Sequence, residues 1–178
     1  MITPVLKTDR MTLRPLVLSD AEAAFRGWTS DPEVAKYMRW NLHKTVGDTK
    51  EWLAAEEENI GSPTYYDWGF VFQETGELIG CGGLVRHDEH GMFELGYNIM
   101  RQYWNRGLAT EAAGAITDFA RRQLGVRAIV CGHAKENPAS GKVMEKVGFI
   151  YQADSEYLSF DGKKRFGCKE YLLTFDEQ

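Results

Sequence analysis

Between Phe93 and Leu124 the hydrophobic period of the chain changes, and no other feature constrains its fold so tightly. Phe93, Leu95, Tyr97 and Ile99 alternate with Glu94, Gly96 and Asn98, which is the two-residue period of a strand. After a polar turn, Ala109, Ala112, Ala113, Ile116, Phe119, Ala120 and Leu124 fall on one stripe of a helix. Arg121 and Arg122 sit in its last turn, where cations suit the helix dipole, and Gly125 can stop it. Arg127 to His133 then reads as a strand again. A strand, a loop, an amphipathic helix and a second strand in succession require a sheet with the helix packed on its face.

The flanking segments extend this pattern. Arg10 to Pro15 reads as a short strand ended by its proline. Ser19 with Glu22 predicts a capping box opening a helix through about Trp28. Asp31-Pro32 predicts a second helix ending near Met38, and Thr45 a third through about Asn59, with Gly61 at its stop. Trp68 to Gln73 and Leu78 to Val85 flank a turn at Glu74-Thr75-Gly76-Glu77, and a further turn falls around Gly91. Asn137-Pro138 predicts a helix through about Lys146. Two strands close the chain around Asp161-Gly162, a hairpin signal. The order β, α, α, α, β, β, β, α, β, α, β, β predicts an α/β chain with a mixed central sheet covered by helices.

At 178 residues the chain suits a single domain spanning 1–178. The net charge of −5 argues against general nucleic-acid binding, which needs dense Lys and Arg, and suits a cationic partner. Cys81, Cys131 and Cys168 lie far apart without a CxxC pair, and no histidine stands at metal-ligand spacing from them, so neither a metal site nor a disulfide framework is expected. The start Met1-Ile2-Thr3-Pro4 lacks a signal region, and no apolar run approaches a membrane span. A cytoplasmic location and no membrane partner are the expectation. The oligomeric state, monomer or homodimer, is not legible.

The stretch Gln102-Tyr103-Trp104-Asn105-Arg106-Gly107-Leu108-Ala109-Thr110-Glu111-Ala112 lies between strand and helix. A turn there aims free backbone N–H groups at one point, at the positive end of the helix dipole, and so offers an anion site suited to a pyrophosphate. Arg106 adds a charge. On local pattern alone the same stretch reads equally as a loop with a positive-φ glycine. The GxxxxGK[ST] and GxGxxG spacings are both missing.

This stretch resembles the coenzyme-A pyrophosphate loop of the GNAT superfamily of N-acetyltransferases, Q/R-x-x-G-x-G/A. Gln102 and Gly107 match its ends, and Asn105 replaces the first glycine; asparagine tolerates the left-handed conformation best among other residues. Thr8-Asp9-Arg10-Met11-Thr12-Leu13-Arg14-Pro15 is similar to the start of the ribosomal-protein-alanine N-acetyltransferase branch. So are Glu94-Leu95-Gly96-Tyr97, Ala109-Thr110-Glu111-Ala112, Asn137-Pro138-Ala139-Ser140 and Glu145-Lys146-Val147-Gly148-Phe149. The resemblance covers nearly the whole chain. It implies a GNAT-type fold and an acetyl-CoA cosubstrate held in a cleft where parallel strands, about Glu94 to Met100 and Arg127 to His133, splay apart. It implies cofactor contacts from Ile99, Met100, Gln102, Asn105, Arg106, Gly107, Leu108, Ala109, Thr110 and Asn137, and an oxyanion donor among the backbone N–H groups of 98–100. The amine acceptor attacks the thioester directly, without a cysteine nucleophile or a metal.

Two catalytic candidates follow. Glu94, on the strand face opposite the aromatic stripe, can receive the amine proton directly or through water; otherwise it is a solvated or ion-paired carboxylate. Ser140, in the first turn of its helix, is by resemblance placed near the coenzyme sulfur, where its hydroxyl can protonate the leaving thiolate; otherwise it is solvated or capping. Asn137 reads as a helix N-cap and, by resemblance, as a contact to the pantetheine arm. Glu111 is explained by the helix dipole. His133 is the only histidine near the cleft. Tyr37, Trp40, Tyr65, Tyr66 and Trp68 read mostly as core, with one or two lining the acceptor pocket, and Glu56-Glu57-Glu58 as a solvated helix face. The acceptor is a protein N-terminus or a small-molecule amine, and a catalytically silent acyl-CoA sensor is the non-enzymatic alternative.

Overall fold

The computed structural model describes residues 2–86 and 91–175. Its strands are β1 (Leu6–Lys7), β2 (Met11–Arg14), β3 (Tyr65–Phe72), β4 (Leu78–Arg86), β5 (Phe93–Ile99), β6 (Ala128–Ala134), β7 (Ile150–Leu158) and β8 (Arg165–Thr174). They form one mixed sheet in the order β1-β2-β3-β4-β5-β6-β8-β7. Antiparallel pairing holds everywhere except between β5 and β6. β1 is the one strand that the sequence pattern does not announce. The turn at Glu74–Glu77 joins β3 to β4 as expected, with Gly76 at φ +71°. The turn before β5 includes residues 87–90, outside the described residues.

The helices are α1 (Ala21–Ala24), α2 (Pro32–Ala35), α3 (Val46–Asn59), α4 (Leu108–Gln123) and α5 (Pro138–Val147). α4 buries Leu108, Ala112, Ala113, Ile116, Phe119 and Ala120. Against these stand Tyr66, Trp68, Phe70 and Phe72 of β3 and Phe93, Leu95 and Ile99 of β5, in the larger of two apolar clusters. The Phe119 ring sits edge-on to Tyr66 and Trp68, 5.3 Å from each. Tyr66 and Trp68 are therefore core residues. The opposite face carries a smaller cluster, with Trp28, Val34, Leu53, Leu78 and Cys81. Among the described residues no helix is long and apolar enough to cross a membrane.

Local caps explain most helix starts, with corrections. Thr45 accepts from the Asp48 N–H at 3.2 Å, and Asp31 from the Glu33 N–H at 2.9 Å, so α3 and α2 begin where expected. The Ser19–Glu22 capping box does not form. Asp20 takes its place: its carboxylate accepts the Val17 N–H at 2.9 Å and both Nη groups of Arg14 at 2.8 Å. A buried acid with a guanidinium partner outcompetes a serine, since charge-assisted bonds are about twice as strong as neutral ones. The helical run starts as a 3₁₀ turn at Leu18–Asp20 and ends as a π turn at Phe25–Thr29. α2 stops at Ala35, short of Met38, because Met38 N–H turns back to Ala35 O in a tighter turn. Asn137 makes no side-chain cap on α5; its carbonyl accepts the Ser140 N–H at 3.2 Å instead. Glu56 is buried rather than solvated, accepting from Trp52 Nε1 at 2.9 Å and Tyr65 Oη at 2.8 Å.

Candidate active site

β5 and β6 run parallel, yet only Phe93 pairs with Ile129 and Glu94 with Val130. Beyond those positions β5 stays on β4 through Ile99, and β6 stays on β8 through Ala134. Both strands therefore continue while separating from each other, and a wedge opens towards their C-terminal ends. The backbone direction on β5 can be read from one bond: Met100 N–H donates to Ile79 O at 2.7 Å. Antiparallel ladders alternate, so Gly96 and Asn98 also address β4, while Leu95, Tyr97 and Ile99 turn their backbone groups into the wedge. Leu95 O accepts Cys131 Sγ at 3.1 Å, and Ile99 O accepts Trp104 Nε1 at 2.6 Å, both from that side. Met100 is thereby corrected as an oxyanion donor, because its N–H is already committed; Ile99 N–H is the donor in 98–100 that faces the wedge.

The chain leaves β5 through a 3₁₀ turn at Arg101–Tyr103 and enters α4 through Asn105 and Gly107, at φ +59° and +76°. Asn105 thus adopts the left-handed conformation expected of it. Gly107 is the N-cap residue and no side chain caps α4. The N–H groups of Leu108, Ala109 and Thr110 therefore lack intrahelical partners, at a loop exposed from Trp104 to Gly107. A Cβ on Gly107 would add both bulk and positive-φ strain at this spot. Of the side chains, Gln102 Nε2 reaches Glu77 Oε1 at 3.4 Å, and the Arg106 guanidinium lies over Phe72 and Tyr103, 5.1 and 5.0 Å from their ring centres.

Along β5, Glu94 and Tyr97 project from opposite faces. The exposed Gly96 beside Glu94 has open space where a Cβ would stand. Glu94 Oε1 lies 3.7 Å from Arg39 Nη2, and that guanidinium stacks on the Tyr157 ring, 4.9 Å away. The segment carrying Arg39 is tied to the β7–β8 hairpin: Tyr157 Oη donates to Tyr37 O at 2.6 Å, and Phe160 N–H to Arg39 O at 2.7 Å. On the other face, Tyr97 Oη lies 3.0 Å from Ser140 Oγ and 3.1 Å from Ser140 O. Burial raises the Tyr97 phenol well above its ordinary pKa, so it stays neutral and can donate.

His133 does not serve the cleft. Its Nδ1 lies 2.7 Å from Ala134 O, and its Nε2 packs on α5, 2.6 Å from where a Cβ on Gly141 would be. Burial pushes the Cys81 and Cys131 thiols well above their usual range, which suppresses the thiolate. Among the described residues no cluster of His, Cys, Asp and Glu is placed to hold a metal. An open cavity of about 420 Å³ near Pro63, Arg86, Met92, Leu124 and Ala128 lies at the other end of β5 and β6 and contains none of the candidate side chains.

A helix start with free N–H groups fits a pyrophosphate, and a wedge with unpaired strand edges fits an amide-bearing arm leading to a thioester. Fold and site together define an acyl-CoA-dependent acyltransferase. Residues 10–150 match the acetyltransferase (GNAT) domain family, and the chain belongs to that family. An N-acetyltransferase p20 of Bacillus licheniformis is 31% identical over 81% of this chain and 81% of its own. A GNAT-family acetyltransferase of Bacillus anthracis superimposes with a TM-score of 0.82 at 23% identity, over 96% of this chain and 98% of that one. The ribosomal-protein-S5-alanine acetyltransferase of Vibrio fischeri gives 0.83 at 17% identity, over 98% of each chain. The protein is thus an N-acetyltransferase of GNAT type, and the family's cosubstrate is acetyl-CoA.

Sequence reading missed Tyr97, assigned to the aromatic stripe, and Arg39, which sits in an irregular segment with no periodic signal. Arg10 reads in the sequence only as the start of a short strand and as part of a stretch that carries the resemblance. Glu94 and Ser140 do not touch each other; β5 stands between their two sites.

Proposed function

We propose that this acetyltransferase acts on a primary amine of low pKa, with a protein N-terminal α-amine as the first acceptor to consider, Glu94 as the base and Ser140 as the acid. The observation that carries this reading is the placement of Glu94 and the Tyr97–Ser140 pair on opposite faces of β5 at the wedge. Direct attack needs a proton removed from the amine on one side of the thioester and a proton delivered to sulfur on the other. Ser140 Oγ–H supplies the second, held in place by the neutral Tyr97 hydroxyl. Ile99 N–H is the backbone donor available to the carbonyl oxygen, a contact of a kind worth about 3–4 kcal/mol. The free N–H groups of 108–110 and the loop 105–107 take the pyrophosphate.

Magnitudes favour the α-amine. Its pKa near 7.8 leaves roughly one molecule in seven neutral at pH 7, against about one in 2,500 for lysine near 10.4. Generating the nucleophile then costs about 1.1 kcal/mol for the α-amine and about 4.6 kcal/mol for lysine. Glu94 already shares its oxygen with Arg39, which suits the smaller task. The fold shared with the Vibrio fischeri enzyme makes peptides with free N-termini the natural first panel.

The test is thiol release from acetyl-CoA with free-N-terminus peptides, N-blocked lysine peptides, polyamines and aminoglycosides. The expected result is turnover with the first group. Preference for polyamines or aminoglycosides would overturn the acceptor assignment, and acetyl-CoA binding with no turnover on any amine would favour a silent sensor.

A further inference from the structure

Thr8, Arg10 and Glu111 form a cluster that nothing in the chemistry above uses. Glu111 sits in the first turn of α4, yet its carboxylate is committed to the β1–β2 turn. Oε1 accepts from Thr8 Oγ1 at 2.6 Å and from the Arg10 backbone N–H at 2.8 Å, and Oε2 accepts from Arg10 Nε at 2.7 Å. The dipole explanation of Glu111 is therefore incomplete. The same guanidinium continues past the helix: Arg10 Nη1 donates to Arg106 O at 2.8 Å, and Nη2 lies 3.5 Å from where a Cβ on Gly107 would be.

Arg106 stands between the two left-handed residues of the loop, Asn105 and Gly107. Such a run has no ladder or cap of its own to hold it. In a planar trans peptide the C=O and the next N–H point in opposite directions. Fixing Arg106 O against Arg10 therefore turns the Gly107 N–H away from Arg10, towards the open side of the loop. The ion pair is partly exposed, with side chains 45% and 18% accessible, so its strength as a surface pair is small and its geometry is what matters.

We infer that Arg10, locked on Glu111 and seconded by Thr8, is a positioning residue that sets the loop 105–107 in its anion-binding shape. This inference rests on the reading of that loop as the pyrophosphate site. Arg10 spends its charge on Glu111 and its reach on a carbonyl, so it organises the loop without touching the cofactor. Lysine cannot replace it, because a single ammonium cannot grip a carboxylate and a carbonyl in one plane.

Calorimetry with acetyl-CoA and with 3′-dephospho-acetyl-CoA tests this on the wild type and on Arg10→Ala, Arg10→Lys, Glu111→Gln and Thr8→Val. Arg10→Ala is expected to weaken acetyl-CoA about tenfold, within the range seen when a support shifts a binding group. KM for acetyl-CoA should rise in step, with kcat at saturating cofactor within about twofold of wild type. Arg10→Lys should not rescue, Glu111→Gln should follow Arg10→Ala, and Thr8→Val should lose less in the same direction. The fold loss should be equal for the two cofactors. A loss that vanishes with the dephospho form would make Arg10 a direct phosphate contact and overturn the positioning role, as would unchanged affinity in folded Arg10→Ala and Glu111→Gln. Should the wild type itself bind neither cofactor, the assignment of the loop fails, not the bracing of its geometry.

Discussion

The two faces of the sheet handle polar groups differently. On the α4 side, beside the proposed cofactor loop, Glu111 and Arg10 are committed to each other and to the loop backbone. Glu111 accepts three hydrogen bonds, and although burial pulls its carboxyl upward, the bonds from Thr8 and Arg10 outweigh that and hold it below its ordinary value. On the α1–α3 side, polar capacity is left over. Glu56 Oε2 and Asn98 Oδ1 are buried without a hydrogen-bond partner, and burial raises both Glu56 and, strongly, Asp67, the latter pushed further by the charge of Glu56. The loop end of the α4 side is thus braced in the free protein, with His133 Nε2 against α5 the one buried polar atom left over on that side among the described residues, whereas the side carrying Glu94 retains Glu56 Oε2, Asn98 Oδ1 and a long ion pair.

If that contrast is right, damage to the braced side should cost most. Gly107→Val asks a β-branched residue to hold φ +76° beside an anion, and strain of this kind costs about 1–3 kcal/mol. Together with lost close approach, acetyl-CoA affinity should fall by about 100-fold, measured by calorimetry. Unchanged binding in a folded Gly107→Val protein would remove the loop from the site. Next comes Glu94→Gln, which should lower kcat by about 10- to 100-fold at pH 7. The deficit should shrink as pH rises and the amine becomes neutral unaided; a wild-type pH profile in the variant would exclude Glu94 as the base.

Ser140→Ala should slow turnover by about tenfold with acetyl-CoA affinity intact, and Tyr97→Phe should do the same to a smaller degree, since it removes only the hydroxyl that orients Ser140. Equal affinity losses in both variants would mean that they shape the cleft rather than deliver a proton. The smallest expected effect is on stability. A carboxyl whose pKa is raised on folding holds more protons folded than unfolded, so stability falls as pH climbs from the ordinary carboxylate range through the raised value. Asp67→Asn should therefore raise Tm by about 2–4 °C at pH 8 and leave it nearly unchanged at pH 4, read by thermal unfolding. A gain of equal size at both pH values would indicate relief of packing instead.

What was legible in the sequence follows the same divide. α4, its preceding turn and β5 each rest on neighbours within a few residues, so alternation, stripe and a positive-φ glycine announced them; Asn105 in left-handed geometry is of this kind. The capping at Asp20 was hidden because Arg14, outside the helix, decides it. Arg39 was hidden for a stronger reason: its place beside Glu94 depends on Tyr157 and Phe160, more than a hundred residues on. Glu56 reads as one acid in a run of three, and only Trp52 and Tyr65 closing over it show that it is buried. Local pattern reveals elements and their stops; it does not reveal which side chain a distant loop will meet.

The brevity of the β5–β6 pairing has a thermodynamic consequence. Two residue pairs make up the strand pairing between one half of the sheet, β1 to β5, and the other, β6 to β8. A molecule seated in the gap and bonded to both edges would act as the missing rungs of a ladder, joining halves whose strands pair with each other only at the foot. Binding that favours the folded state raises its stability by mass action, about 2.7 kcal/mol at a hundredfold excess over Kd. A cosubstrate seated there would then also be a structural component, and its supply would set how firmly the two halves hold together. Hydrogen exchange along β6 and β8 should slow as it is added, well beyond the residues that touch it.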